Sequence, residues 1–471
     1  MFADALFAWL GEKLLVEHTI QTNLSFNGKV YFVPHHASHA AAAYYTSPFT
    51  SAAILTADGV GEYTTTELWH GTGSRIEPLA LLEFPHSLGL LYSVFTGFLG
   101  FRVNDDEYKL MGLAGYGSPL YLNQVRSLVC TKEDGSFELA MKYFRFHSNA
   151  RSWSKQFETL FGEPRKPHEA IQKRHHDIAA SIQAFTEEIY MSLAQEALRR
   201  TGETALCVGG GCALNAAANG VLLRSQGIQQ ISIFGPAGDA GAAMGAALYV
   251  EQVTNNGARY PVDDLRLGKH YGQADIEAAL TARADIRYEK YTQSTLEDRV
   301  ATLLAQGKSV AWFQGRAEFG PRALGARSIL MHPSYPDAKK HLNEIKGREM
   351  FRPFGIAILE DTVPQYLEAP EHTRVPHMNF CFKVKESASQ TIIEAVHVNG
   401  TVRAQSVVRG EGGLGPLLEK FERATSIPAL INTSLNAAGE PLIETPGQAI
   451  EFIVHSRADY LAIGNYIVQR L

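Results

Sequence analysis

Two histidines four residues apart, His35 and His39 in HHASHAAAAYY, are the first residues here whose type and spacing could do chemistry. A helix through this alanine-rich run would put both imidazoles on one face, ~6 Å apart at Cβ, which suits one metal ion. His36 points elsewhere on that helix. It also stands where the zinc-protease motif HExxH carries its catalytic glutamate, so proteolysis is not expected. A pair that only caps and packs is the competing reading. Two carboxylates weigh against it: Asp58 closes the apolar run AAILTA, and Asp239 closes ISIFGPAGD before a helix. Two imidazoles and two carboxylates make a mixed N/O set suited to Fe(II), Mn(II) or Zn(II), rather than a thiolate site.

A second chemistry lies in FQGRAEFGPRALGARSIL, residues 313 to 330, with Arg316, Arg322 and Arg327 among glycines. Arginine grips phosphate or carboxylate through two parallel bonds, and glycine lets backbone N–H groups approach an anion. KGREMFRPFG at 346–355 adds Lys346, Arg348 and Arg352. For each arginine alone the competing reading is a solvated salt bridge worth under ~1 kcal/mol. GGGCALN, Gly209 to Asn215, offers a glycine loop at a helix start, which is either a phosphate cradle or tight packing. In EYKLMGLAGYG, Lys109 and Glu107 either line the metal pocket or pair with each other. His86 reads as a cap or packing residue.

These stretches occur in the order HHASHAAAAYY, DGVGE, DDEYKLMGLAGYG, GGGCALN, GDAGAAMGAA, the arginine stretch, FRPFG, HVNGTVRAQSV and NTSLNAAGEPL. In that order the chain resembles O-carbamoyltransferases of the NodU/CmcH type, which decorate nodulation factors, cephalosporins and aminoglycosides. The resemblance runs from about residue 30 to the C-terminus. It implies an incomplete actin-like nucleotide and metal domain followed by a second α/β domain that forms carbamoyl-adenylate. It places a metal, Fe(II) first, on His35, His39, Asp58 and Asp239. Gly209, Gly210, Gly211 and Asn215 would hold the adenylate. Arg322, Lys346, Arg352, Arg403 and Ser434 would bind the anionic substrates, carbamoyl phosphate and ATP with its Mg. The expected catalytic residues are His39, Arg322 and Lys346. Carbamoyl phosphate and ATP would react in the second domain, and a small-molecule hydroxyl would accept the carbamoyl group at the metal.

The elements that position these groups follow from pattern and composition. At 471 residues, two domains are expected. We place them at 1–269 and 270–471, with NNGARYPVDD as a turn-rich linker. Ile178, Ile182, Phe185, Ile189 and Leu193 recur at helical spacing, and Gly202 ends that helix. AAILTAD and TTTELWHG read as a hairpin. ALCVGGG and ISIFGPAGD each run from strand through glycine loop to helix, which implies parallel α/β architecture. KSVAWFQG and SIPALINTS read as strands ending at polar sites. ADIEAALTARADIRYEK reads as a charged helix and connector. MFADALFAWLGEKLL reads as an amphipathic surface helix.

A hydrophobic content of 45% and a charged content of 20% are ordinary for a globular protein. A net charge of −6 argues against a nucleic-acid surface spread over the whole chain. Four cysteines without metal or redox spacing fit reduced, buried thiols in a cytoplasmic protein. No apolar run is long enough to span a bilayer, and a homodimer is compatible with the sequence. Against the family pattern the chain starts late: the hairpin, Gly-His-Asp loop and acidic strand that open the actin-like domain fall before Met1. The favoured reading is a late recorded start. The others are a piece supplied by a second chain, or loss of the transfer step. The last reading leaves a non-catalytic subunit that binds nucleotide or carbamoyl phosphate. The nearest enzymatic rival is threonylcarbamoyl transfer to tRNA, which should show a basic stripe.

Overall fold

A computed structural model describes residues 13–146, 151–257, 259 and 261–471. The first twelve residues of the expected amphipathic helix, and positions 258 and 260 of the linker, lie outside the described residues. Two sheets carry the two expected sites. The first has the strand order β3-β2-β1-β6-β7. It consists of β1 (Ser51–Gly61), β2 (Thr64–Thr72), β3 (Arg75–Glu83), β6 (Ala205–Gly209) and β7 (Gln230–Ile233). A two-stranded ribbon, β4 (Val129–Thr131) with β5 (Phe137–Leu139), stands apart. β1, β6 and β7 are parallel, as the strand–glycine loop–helix repeats imply. β2 and β3 are antiparallel, because each follows its neighbour through a tight turn, so the sheet is mixed rather than purely parallel.

The second sheet has nine strands in the order β12-β13-β11-β14-β10-β9-β15-β16-β8. They are β8 (Ile286–Lys290), β9 (Val310–Phe313), β10 (Arg327–Met331), β11 (Gly355–Leu359), β12 (Phe380–Lys383), β13 (Thr401–Val407), β14 (Ala429–Ser434), β15 (Tyr460–Ile463) and β16 (Tyr466–Arg470). Only the β11–β13 and β9–β15 pairs are parallel. The stretch RYEK, expected as connector, is the edge strand β8, paired with β16.

The helices that matter to the sites are α1 (His35–Tyr45), α2 (Leu88–Phe98), α3 (Glu107–Ala114), α4 (Lys173–Thr201), α5 (Ala216–Leu223), α6 (Asp239–Asn255) and α7 (Ala338–Lys346). α4 ends in a left-handed Gly202, the usual way to close a helix C-terminus. In α1 every residue except His35 is buried. Its alanines let α6 approach so closely that a Cβ at Gly245 would meet Ser38 O at 1.9 Å. His86 does not begin a helix: Ser87 caps α2, and His86 Nδ1 accepts from Leu139 N. One apolar core runs through both halves, from Ala53 and Leu55 to Ile463 and Val468. No described helix is long and apolar enough to cross a membrane.

Candidate functional site

The first site grows out of a break in the β1–β2 ladder. Pairing runs from Ser51↔Thr72 to Ala57↔Thr66, then lapses until Gly61↔Thr64. Asp58, Gly59 and Val60 interrupt the β1–β2 pairing there, and the Asp58 carboxylate meets α1. His35 and His39, one turn apart on α1, meet it there. Asp58 Oδ2 lies 2.9 Å from His39 Nε2 and 3.3 Å from His35 Nε2. The two Nε2 atoms are 3.0 Å apart. Asp239, at the start of α6, brings Oδ1 within 3.5 Å of His39 and 3.6 Å of His35. His39 is wholly enclosed, whereas the Asp239 side chain is 79% exposed, so the cluster opens toward solvent on the α6 side. His36 is spent elsewhere, with Nδ1 on Thr56 Oγ1 at 2.8 Å and Nε2 on Thr64 O at 3.0 Å.

This cluster has the form of a cation site. One ligand atom from each of the four residues falls within 4.8 Å of the others. Ligands bound to one ion at ~2.1 Å stand ~3.0 Å apart at a right angle and ~4.2 Å apart across it, so a small contraction suffices. The electrostatics agree. Burial favours neutral His39, but hydrogen bonds with Asp239 and Asp58 outweigh it and hold the ring up at about 9. Burial would also raise Asp58, yet His35 and His39 hold its carboxyl far below the usual range. The two carboxylates therefore favour positive charge at this point of the pocket. An N/O donor set of this kind fits Fe(II), Mn(II) or Zn(II).

The glycine loop serves this cluster. Gly210 adopts φ +87, a region few other residues tolerate, and its N–H is spent on Ala237 O at 2.9 Å. A Cβ on Gly211 would meet Asp58 Oδ1 at 2.8 Å. Gly209 packs on His39 O, 2.9 Å from where its Cβ would be. The loop thus presses on Ala57, Asp58 and α1, and the N–H of Gly210 is not free for a phosphate. Asn215 caps α5 by accepting from Ala218 N, and exchanges bonds with Gln183.

From Asp58 the 3₁₀ turn Gly211–Leu214 leads to the second site. Leu214 O accepts from Arg322 at 3.4 Å, across the seam between the halves. Arg322, Arg403, Arg352, Arg348 and Lys346 gather here. Burial first, then Arg403, lowers Arg322 to about 9. Burial first, then Arg352 and Arg403, does the same to Arg348. Arg403 is lowered by burial and by Arg352. Burial, Arg348 and Arg352 drive Lys346 well below its ordinary value. Arg322 Nε and Arg403 Nε are buried and have no hydrogen-bond partner among the described residues. The nearest carboxylate, Glu349, stands 3.5 Å from Arg352 and 3.0 Å from Lys109. Buried cations in excess of carboxylates are unfavourable unless an anion joins them.

Lys346 ends α7 and is buried. Its Nζ donates to Ser434 O at 2.6 Å and to Asn436 Oδ1 at 2.7 Å, so it ties the NTSLN turn together. Ser434 donates in turn to Asn436 Oδ1 at 2.7 Å. Of the other arginines in the stretch, Arg316 is exposed and donates to Gly268 O, while Arg327 is buried on the Phe313 ring. Lys109 and Glu107 do not pair with each other. Lys109 holds Asp106 and Glu349, and Glu107 accepts from Ser93 Oγ and Asn104 N. Asn436 was not among the expected residues, although it stands two residues beyond Ser434 in the same turn. Of the cysteines, Cys207 is buried, as expected, whereas Cys130 is exposed.

The comparisons with known proteins show the family. The family model Carbamoyltransferase N-terminus matches residues 3–248, and Carbamoyltransferase C-terminus matches residues 301–470. Protein sll1178 of Synechocystis sp. is 39% identical over 507 residues, covering 100% of this chain and 82% of its own. Nodulation protein NolO of Bradyrhizobium diazoefficiens is 33% identical over 445 residues, covering 93% and 78%. Nodulation protein NolNO of Sinorhizobium fredii is 33% identical over 449 residues, covering 94% and 64%. The likeness to the solved structure of full-length HypF, in its phosphate- and nucleotide-bound form, is low. Its TM-score is 0.27 at 16% identity, covering 36% of this chain and 25% of that one. Both halves of the chain, with the His/Asp cluster in one and the arginine cluster in the other, are matched, and the chain belongs to the carbamoyltransferase family of enzymes.

Proposed function

We infer that the chain is an ATP-dependent O-carbamoyltransferase working in two stages. Residues 270–471 form the activating domain, where carbamoyl phosphate, ATP and water give carbamoyl-adenylate, pyrophosphate and phosphate. Residues 1–269 form the transfer domain, where a hydroxyl of a small-molecule natural product takes the carbamoyl group. One observation carries the inference: Arg322 and Arg403 are half-buried, act on each other electrostatically, and have buried Nε atoms without a partner, and among the described residues neither is paired with a carboxylate. Such a cluster is built for an anion whose charge shifts during reaction.

Arg322 and Arg403 neutralise the phosphates, with Arg352 and Arg348 behind them. Lys346 fixes the Ser434–Asn436 turn as one wall. A divalent cation held by His35, His39, Asp58 and Asp239, with Fe(II) favoured over Mn(II) and Zn(II), would polarise the carbamoyl carbonyl. In the transfer, the acceptor oxygen bonds to the carbamoyl carbon and the carbon–oxygen bond to AMP breaks. AMP leaves with the electron pair and the hydroxyl proton passes to solvent. Such an enzyme is cytoplasmic and decorates an antibiotic or a nodulation factor, with neither nucleic acid nor membrane as partner.

The test is pyrophosphate release from ATP by the metal-loaded chain, with and without carbamoyl phosphate. Release is expected to require carbamoyl phosphate. Arg322→Ala should slow it by ~2–4 kcal/mol of transition-state stabilisation. A folded, metal-loaded chain that releases none would overturn the reading and leave a binding subunit.

A further inference from the structure

We propose that Glu318 is a positioning residue for Arg322, acting as the hub that fixes the irregular loop on which this arginine is carried. The inference rests on the anion-site reading above.

Between β9 and β10 the chain forms no regular element, so its backbone groups need partners from elsewhere. Glu318 supplies the acceptors where this segment leads into β10. Its side chain is buried, and Oε1 accepts from Leu324 N at 2.7 Å, Ala326 N at 2.6 Å and Arg327 N at 3.2 Å. Oε2 accepts from Arg327 N at 3.1 Å. The carbonyls of the same segment are held by other buried side chains. Asn432 Nδ2 donates to Ala323 O at 3.1 Å and Gln405 Nε2 to Leu324 O at 3.0 Å. Trp312 Nε1 donates to Gly325 O at 3.0 Å. Arg327 donates to the carbonyls of Gln314, Gly315 and Ala326, each at 3.2 Å. Arg322 sits inside the ring that the Glu318 side chain closes onto Leu324 N, and from there it reaches Leu214 O.

A carboxylate is the one side chain suited to the hub. Three N–H groups converge on two oxygens, and charge-assisted bonds of this kind are strong. Glutamine that keeps its carbonyl oxygen on Leu324 N and Ala326 N would turn its NH₂ toward Arg327 N, donor against donor, where Oε2 now accepts. A guanidinium set on such a frame is held where the phosphate will be. Misplacement by ~1 Å can cost about 100-fold.

The experiment measures inorganic phosphate binding by titration calorimetry on the full chain, its Arg322→Ala variant and its Glu318→Gln variant. Far-UV circular dichroism and Mn(II) affinity report on the fold and on the distant His/Asp cluster. The expected result is phosphate binding by the parent chain that Arg322→Ala abolishes. Glu318→Gln should weaken it by about tenfold or more, with Mn(II) affinity unchanged. Phosphate affinity unchanged in a folded Glu318→Gln chain, with Arg322→Ala still defective, overturns the positioning role alone. No binding by the parent chain, or full binding by Arg322→Ala, overturns the anion-site reading itself. If Glu318→Gln does not fold, Glu318→Asp takes its place, keeping the charge but shortening the reach. The same loss is expected, and parental affinity would overturn the proposal. If neither chain folds, the carboxylate serves the fold rather than the arginine, and the proposal is likewise overturned.

Discussion

Asp58 can stand against two imidazoles because residue 211 has no side chain. A methyl there would lie 2.8 Å from Oδ1, so the carboxylate would have to turn out of the cluster. Gly59 is the natural control. A Cβ on Gly59 meets nothing within 4 Å, and its N–H would still donate to Asp58 Oδ1 at 2.7 Å. Supporting groups around a metal ligand are worth ~10–100-fold in affinity. Gly211→Ala is therefore expected to weaken Mn(II) binding by at least about tenfold in chelator competition, and Gly59→Ala to leave it unchanged. Equal affinities in the two variants would mean that the glycine loop does not set the carboxylate.

At the scale of elements, the turn that leads into β13 docks on α3 and the Gly115–Tyr116 step after it. His397 is its anchor, buried edge-on against the Tyr116 ring at 5.3 Å. Burial, reinforced by Lys339 and opposed by a contact with Asn399, lowers it to about 4. A histidine kept neutral in the fold and basic at ~6.5 when unfolded binds fewer protons in the native state. Its contribution is whole above pH ~6.5 and is lost as pH falls toward 4, by about 3 kcal/mol at most. His175, also buried and lowered to about 4, shares that window. The thermal midpoint of the native chain should fall between pH 6.5 and 4. That of His397→Asn, lower at neutral pH, should fall less steeply. A parallel decline would remove His397 as a cause.

Much of this element level was legible in the sequence. The repeated apolar spacing of α4, the hairpin β1–β2 and both glycine-loop units are local patterns that burial enforces. β8 was not, because only Ile286 of its five residues is buried and no alternation marks it; its pairing comes from β16. The His/Asp cluster could be read because its residue types carry the chemistry themselves. Glu318, Gln405 and Asn432 could not, since their task is to satisfy backbone groups that exist only once the loop is folded. Gln405 left one trace: two residues after Arg403 on a strand, it faces the same side.

Across the whole molecule, the two halves meet over a seam that is itself closely fitted. Asn219 Nδ2 donates to Asn379 O at 2.8 Å, and Asn379 Nδ2 donates to Ile233 O at 3.1 Å. Tyr116 OH reaches Phe351 O at 3.1 Å, and Arg322 reaches Leu214 O across the same gap. Gly220, buried in α5, lies where a Cβ would stand 2.0 Å from Cys381 O of β12. Two effects oppose each other at this position. Alanine in a helix is favoured over glycine by ~1 kcal/mol, so an undocked α5 would gain from Gly220→Ala. In the docked molecule the obstacle is a backbone carbonyl held in its strand, which cannot swing aside, and overpacking costs ~1–3 kcal/mol. The clash should win, because Asn219 and Asn379 on either side prevent the halves from sliding. Gly220→Ala is therefore expected to lower the thermal midpoint. It should also weaken inorganic phosphate binding, since Arg322 loses its reach to Leu214 O. A raised midpoint with unchanged phosphate binding would show that the halves do not meet along this seam in solution.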